Sequence, residues 1–222
     1  LFFGYNAGGP FTPDVRYHVV DKNGVLTRSE HFLAPFASMV HDFVTTRDHV
    51  LFPIFPLTGS LERAMAGAPA FAWEPDKGTH IGIMGRDDVC EALRWFEHDP
   101  CYVFHPMNAY EADDATIVLD VIRHPKMFDT NHFGPDEGPP TLERWTVDLA
   151  DGKVRESRID DRPQEFPRVD ERRVGKRHRY GYAPYVGDGD GGDTLLNRRI
   201  VFVDHRRGVD PLVLDEVADE AA

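Results

Sequence analysis

Two of the eleven histidines sit where a histidine needs a reason. His41 lies in Ala37-Ser38-Met39-Val40-His41-Asp42-Phe43, and His105 lies in Tyr102-Val103-Phe104-His105-Pro106-Met107. Both contexts are apolar and strand-like. A histidine buried at a strand end must place both ring nitrogens. A transition metal can take one while a carboxylate or carbonyl takes the other. From the residues alone, each is either such a ligand or a core histidine satisfied by its neighbours. His18, His31, His49, His80, His98, His124, His132, His178 and His205 stand among charged or turn residues and read as exposed or capping. No HExxH, Cys/His cluster, GxSxG or phosphate-binding glycine loop is present, so zincin, serine-hydrolase and P-loop chemistry have no support.

The elements that must position these histidines read as strands. Val15–Val20 runs into Asp21-Lys22-Asn23-Gly24 and returns as Val25–Arg28, a hairpin whose Asn-Gly supplies positive φ. Arg144–Leu149 with Lys153–Arg155 repeats the device, as does Arg199–Asp204 with Leu212–Leu214. Further strand candidates are Phe43–Thr46, Val50–Phe55, His80–Met84, Tyr102–His105 and Thr116–Arg123. Helix signals are short, at Leu61–Ala66 and Asp87–Leu93. Many short strands with hairpin turns and almost no helix predict an all-β sandwich, barrel or propeller. The Gly187–Asp193 run reads as a flexible surface loop.

Composition narrows the partners. The 222 residues are 41% hydrophobic and 28% charged, which is ordinary for a globular chain. The formal net charge of −13 disfavours nucleic acid and anionic membrane, so a small neutral or apolar molecule is the expected partner. No run of about 18 apolar residues predicts a membrane span. Cys90 and Cys101 do not make a disulfide framework and are expected to be reduced, buried thiols of a cytoplasmic protein. The sequence begins at Leu1, in Leu1–Tyr5 that already reads as strand, which leads us to expect chain upstream.

Several motifs carry a family resemblance. His41-Asp42-Phe43-Val44-Thr45-Thr46 followed by Val50-Leu51-Phe52-Pro53 resembles the second iron-ligand motif of the carotenoid cleavage oxygenases, also called the retinal pigment epithelial membrane protein family. Phe104-His105-Pro106-Met107-Asn108-Ala109-Tyr110-Glu111 resembles the third. Gln164-Glu165-Phe166-Pro167-Arg168-Val169 resembles the segment whose glutamate bonds to a ligand histidine. Arg144-Trp145 and Arg179-Tyr180-Gly181-Tyr182 also fit. Within the family, the stretches around Ser38, Arg63 and Trp73 look like the bacterial lignostilbene dioxygenase branch.

The resemblance implies a partial seven-bladed β-propeller spanning residues 1–222, with N- and C-terminal blades missing. It implies His41 and His105 as two of four histidine ligands to one Fe(2+), and Glu165 as the acceptor of a ligand histidine's other N–H. Asp42 is expected to be structural. Phe128 is a candidate wall for the substrate. The implied reaction adds O2 across an alkene beside a phenolic ring and gives two aldehydes. Two alternatives stand beside it: a carotenoid or apocarotenoid 15,15'-type cleavage oxygenase, and an inactive truncated propeller. Oligomeric state has no signal in the sequence.

Overall fold

The computed structural model describes residues 1–187, 200–204 and 213–214. The Gly187–Asp193 loop reading therefore falls, from residue 188 on, outside the described residues. Among the described residues, regular secondary structure is overwhelmingly β, with sixteen strands, one five-residue α-helix and three single-turn 3-10 helices. No described helix is long and apolar enough to cross a membrane. The chain divides into two units, one of residues 1–44, 48–102 and 125–138, the other of 45–47, 103–124 and 139–222.

The first unit opens with β1 (Phe2–Tyr5), β2 (Asp14–Val20) and β3 (Leu26–Leu33), an antiparallel meander in chain order. The β2–β3 turn forms as its residues dictate. The Asp21 carboxylate accepts from the Asn23 and Val25 backbone N–H groups at 2.8 and 2.9 Å, and Gly24 alone adopts a positive φ of 81°. A second sheet contains β5 (His49–Ile54), β8 (Thr79–Gly85) and β9 (Arg94–His98), with β4 (Val44–Thr45) at its edge. Between β5 and β8 lie the paired β6 (Leu57–Gly59) and β7 (Phe71–Trp73), which flank α1 (Leu61–Met65). Ser60 caps α1 by accepting from Arg63 N–H at 3.2 Å. The core of this unit is apolar and rich in rings: Tyr17 and Phe32 both pack on Phe52, with centroids 5.6 and 4.9 Å away.

The second unit holds β10 (Pro106–Asp113), β11 (Thr116–Arg123), β12 (Thr141–Asp148) and β13 (Val154–Asp160), again antiparallel neighbours in chain order. Its other sheet is β14 (Tyr180–Pro184), β15 (Ile200–Asp204) and β16 (Val213–Leu214). Asp120 and Arg144 are cross-strand partners joined by two hydrogen bonds of 2.7 and 2.8 Å, and Asp120 is fully buried. Asn108 pins the segment before β14. Its amide oxygen accepts from Gly175 N–H at 3.0 Å, and its amide nitrogen lies 3.0–3.1 Å from the carbonyls of Arg173 and Lys176. Gly175 has φ 74°, and a Cβ there would come within 3.2 Å of the Thr46 backbone, so this turn requires glycine.

The structure corrects four sequence expectations. Tyr102–His105 is not a strand; the strand starts at Pro106, a strand-initial position where the missing N–H is tolerated. Asp87–Leu93 makes only a 3-10 turn at Cys90–Ala92. His41 lies outside any strand, at an exposed position between β3 and β4. His124 and His178, expected at the surface, are 2% and 8% exposed. Both cysteines are buried free thiols, as expected.

Candidate metal-ligand site

Glu165 is the hub of the second unit's candidate site. It is 7% exposed. Its segment runs beside β14: Glu165 N–H donates to the Pro184 carbonyl at 3.1 Å, and Arg168 and Tyr182 exchange backbone hydrogen bonds of 2.7 and 2.9 Å. On the other side, Gln164 N–H donates to the Pro140 carbonyl at 3.0 Å. These bonds fix the carboxylate's origin against two β segments. The carboxylate then meets two imidazoles. Its Oε2 lies 2.6 Å from His105 Nδ1, and its Oε1 lies 2.9 Å from His124 Nε2. Phe166 N–H also donates to Oε2, at 2.5 Å. That last bond goes with a left-handed backbone at Phe166, φ 53°, a conformation that costs a bulky residue about 1–3 kcal/mol.

The two rings come from the β10–β11 hairpin. His105 immediately precedes β10, and its carbonyl accepts from Ile122 N–H at 3.4 Å. His124 immediately follows β11. Phe104 stands edge-on to the His124 ring at 5.4 Å, and Phe166 packs on His105 at 4.8 Å. Burial alone would push the Glu165 carboxyl up. Hydrogen bonds from His105 and His124, then from Phe166 N–H, outweigh it and hold the carboxyl at about 2. An ionised carboxylate at Nδ1 favours the tautomer with its proton on that nitrogen, the arrangement in which Nε2 would serve as a metal ligand. The residues thus fit one imidazole ligand with its orienting carboxylate. Among the described residues, no group of three or more His, Cys, Asp or Glu could hold a metal ion by itself.

Of the residues singled out by sequence, the structure brings His105 and Glu165 into direct contact. His41 belongs to the first unit; the adjacent Asp42 carboxylate accepts from Phe43 N–H at 2.8 Å, a local structural bond. Phe128 also belongs to the first unit. It is half-buried, with a left-handed φ of 53°, in a segment organised by Glu137. The Glu137 carboxylate accepts from the backbone N–H groups of Asp129, Thr130 and Asn131 at 2.7, 2.6 and 3.2 Å. Sequence reasoning missed His124. Its signal was there: Val118, Asp120, Ile122 and His124 share one strand face at period two, and the first three are buried. A separate cleft of about 560 Å³ in the second unit is lined by Tyr110, Arg144, Arg173, Arg177, His178 and Tyr182, among others; His105, Glu165 and His124 do not line it.

An all-β chain with a carboxylate-anchored histidine defines a class that comparison with known proteins makes specific. The model of the retinal pigment epithelial membrane protein family, which is the carotenoid cleavage oxygenase family, matches residues 1–214. The chain belongs to that family. It is 36% identical to isoeugenol monooxygenase of Pseudomonas nitroreducens over 190 residues, 82% of this chain and 40% of that protein. It is 39% identical to a carotenoid cleavage oxygenase of Mycobacterium tuberculosis over 157 residues, 69% of this chain and 31% of the other. Among solved structures, the lignostilbene dioxygenase of Pseudomonas brassicacearum superposes with a TM-score of 0.80 at 28% identity, covering 96% of this chain and 48% of that one. The fold is accordingly part of the β-propeller of the carotenoid oxygenases. The chain spans less than half the length of these relatives.

Proposed function

We propose that this chain forms part of a non-haem iron(II) dioxygenase that splits the C=C bond of a phenolic aromatic alkene, a stilbenoid or phenylpropanoid, with O2. One alkene and one O2 give two aldehydes, so no further reductant enters the balance. The observation that carries this reading is the 2.6 Å contact between Glu165 Oε2 and His105 Nδ1, which orients a neutral imidazole for metal binding. His105 and His41 would hold the ion, and the remaining ligands would come from outside the described residues. Bound iron(II) would supply the redox chemistry that lets O2 react with an alkene. The protein's own residues set the stage for it. Glu165 holds the His105 proton at Nδ1. Phe104 and Phe166 lay apolar surface beside the ring, and apolar surroundings keep water from competing at such a site. Phe128 would contribute to the wall that receives the flat substrate.

The named relatives support this choice of substrate, since one acts on isoeugenol and a structural neighbour on lignostilbene, by their names. The similarity to the mycobacterial carotenoid cleavage oxygenase favours a second reading, an apocarotenoid substrate for the same chemistry. The test is to load the full-length protein with Fe(II) and offer it a hydroxystilbene, isoeugenol and an apocarotenoid under 18O2. Two labelled aldehydes from the stilbene support the first reading. Labelled aldehydes from the apocarotenoid alone move the assignment to the second. No product from any of the three, with iron bound, overturns both.

A further inference from the structure

We infer that His124 is a positioning residue for the His105 ligand, acting through the far oxygen of the Glu165 carboxylate. This deepens the metal reading above and rests on it. His124 is buried to 2% exposure, and its Nε2 meets Glu165 Oε1 at 2.9 Å. Its other nitrogen, Nδ1, is buried with no hydrogen-bond partner among the described residues. Among the described residues the ring therefore has one hydrogen-bond contact, and that contact is the carboxylate. Leaving a buried polar atom unmatched is costly. A packing role alone would be met better by Phe or Leu at this position.

Glutamate geometry explains what the imidazole contributes. The terminal torsion of a glutamate side chain is broad and roughly two-fold, so a carboxylate held at one oxygen can still turn its plane. Glu165 is held at both. His105 and Phe166 N–H take Oε2, while His124 takes Oε1. The two imidazoles stand at the same open end of one hairpin, one before β10 and one after β11, and the carboxylate arrives between them from a segment anchored on β14. Phe104 sits edge-on to His124 and tilted against His105, with centroids 5.4 and 6.1 Å away. It holds the His124 ring in the plane where Nε2 points at Glu165. The consequence is that Oε2 is presented to His105 Nδ1 in one orientation, with the His105 proton kept on Nδ1.

The experiment uses the full-length protein, labelled with 15N-histidine. In the metal-free form, imidazole nitrogen shifts report which nitrogen of His105 carries the proton; anaerobic titration reports the Fe(II) dissociation constant. Wild type is expected to show a single Nδ1–H tautomer at His105. His124→Phe should give a tautomer mixture and raise the dissociation constant about 10–100-fold, the range for loss of an outer partner of a metal ligand. His124→Gln places an amide N–H near the Nε2 position and should restore both readouts, which a loss of packing would not allow. If His124→Phe does not fold, His124→Gln against His124→Asn, whose amide falls short of the carboxylate, makes the same comparison. An unchanged His105 tautomer and unchanged iron affinity in the donor-lacking variant overturns the inference. Wild type that binds no iron while its His105 tautomer still depends on His124 overturns the metal reading and leaves the positioning role standing.

Discussion

The two units bury different kinds of residue. In the first, the buried polar side chains among the described residues are Ser38, Thr58 and Thr79, all hydroxyls, and Glu137. Its centre is Tyr17, Phe32 and Phe52 packed ring on ring. The second unit buries Asp120, His124, Glu143, Asp160, Glu165 and His178, each with a charged or ring partner. Apolar packing is tolerant of small displacements and supplies most of a domain's stability. A buried ion or imidazole tolerates only the arrangement that satisfies it. The first unit is therefore built chiefly to be stable and the second to hold geometry.

That contrast can be broken by single substitutions. Phe52→Ala removes the ring on which Tyr17, Phe32 and Phe43 pack and should destabilise the first unit by about 3–5 kcal/mol. The check is chemical denaturation, followed by the histidine 15N spectrum. The midpoint should fall while the His105 signal stays unchanged; a His105 signal that moves with it would dissolve the distinction. Asp120→Ala leaves the Arg144 guanidinium without its two-point partner. Because that side chain is 25% exposed, the loss should lie near the lower end for a broken buried pair, about 3 kcal/mol. Asp120→Asn should recover part of it in the same denaturation series.

The smallest effect is in pH. Hydrogen bonds from Thr130, then from the Asp129 and Asn131 N–H groups, overcome the opposing effect of burial and hold the Glu137 carboxyl at about 2, below its ordinary 4.5. A depressed carboxyl contributes stability that is complete above 4.5 and is lost as the pH falls through 2. Hydrogen exchange at the amides of Asp129, Thr130 and Asn131 should therefore quicken, relative to the intrinsic rate, between pH 4.5 and 2. Glu137→Gln should abolish that dependence. Equal protection of these amides at pH 5 and pH 2.5 in wild type would show that the carboxylate does not organise the loop.

Local sequence made some of this legible. Thr116–Arg123 is β11 to the residue, because its apolar and β-branched run is bounded by turn residues on both sides. Leu61–Ala66 holds α1 because Ser60 supplies a cap at the right distance. A contact of Glu165 with a ligand histidine was expected only through resemblance, and that the histidine is His105, 60 positions away, came from the structure. His124 was misjudged because Arg123, Pro125 and Lys126 make its neighbourhood look exposed, whereas its burial depends on the distant Glu165. His178 carried no local signal at all. Its cover comes from Asn108, 70 positions away. Tyr102–His105 has strand-forming residues, but only Tyr102 makes an isolated bridge, and the continuous ladder begins at Pro106.

The carboxylate between the two imidazoles also has a consequence for the order of folding. A longer segment, residues 124–140, joins β11 to β12, but β10 with β11 and β12 with β13 form hairpins closed by short turns. Such local contacts form early because little chain entropy opposes them. The links from Glu165 to His124 and His105 close 41 and 60 residues. They can form only after the hairpin has brought both rings to one end and β14 has anchored the Gln164–Arg168 segment. We expect substitutions at Glu165 to change the unfolding rate and leave the folding rate of this unit almost unaltered. The ligand geometry would then be among the last features of the unit to form and the first to be lost.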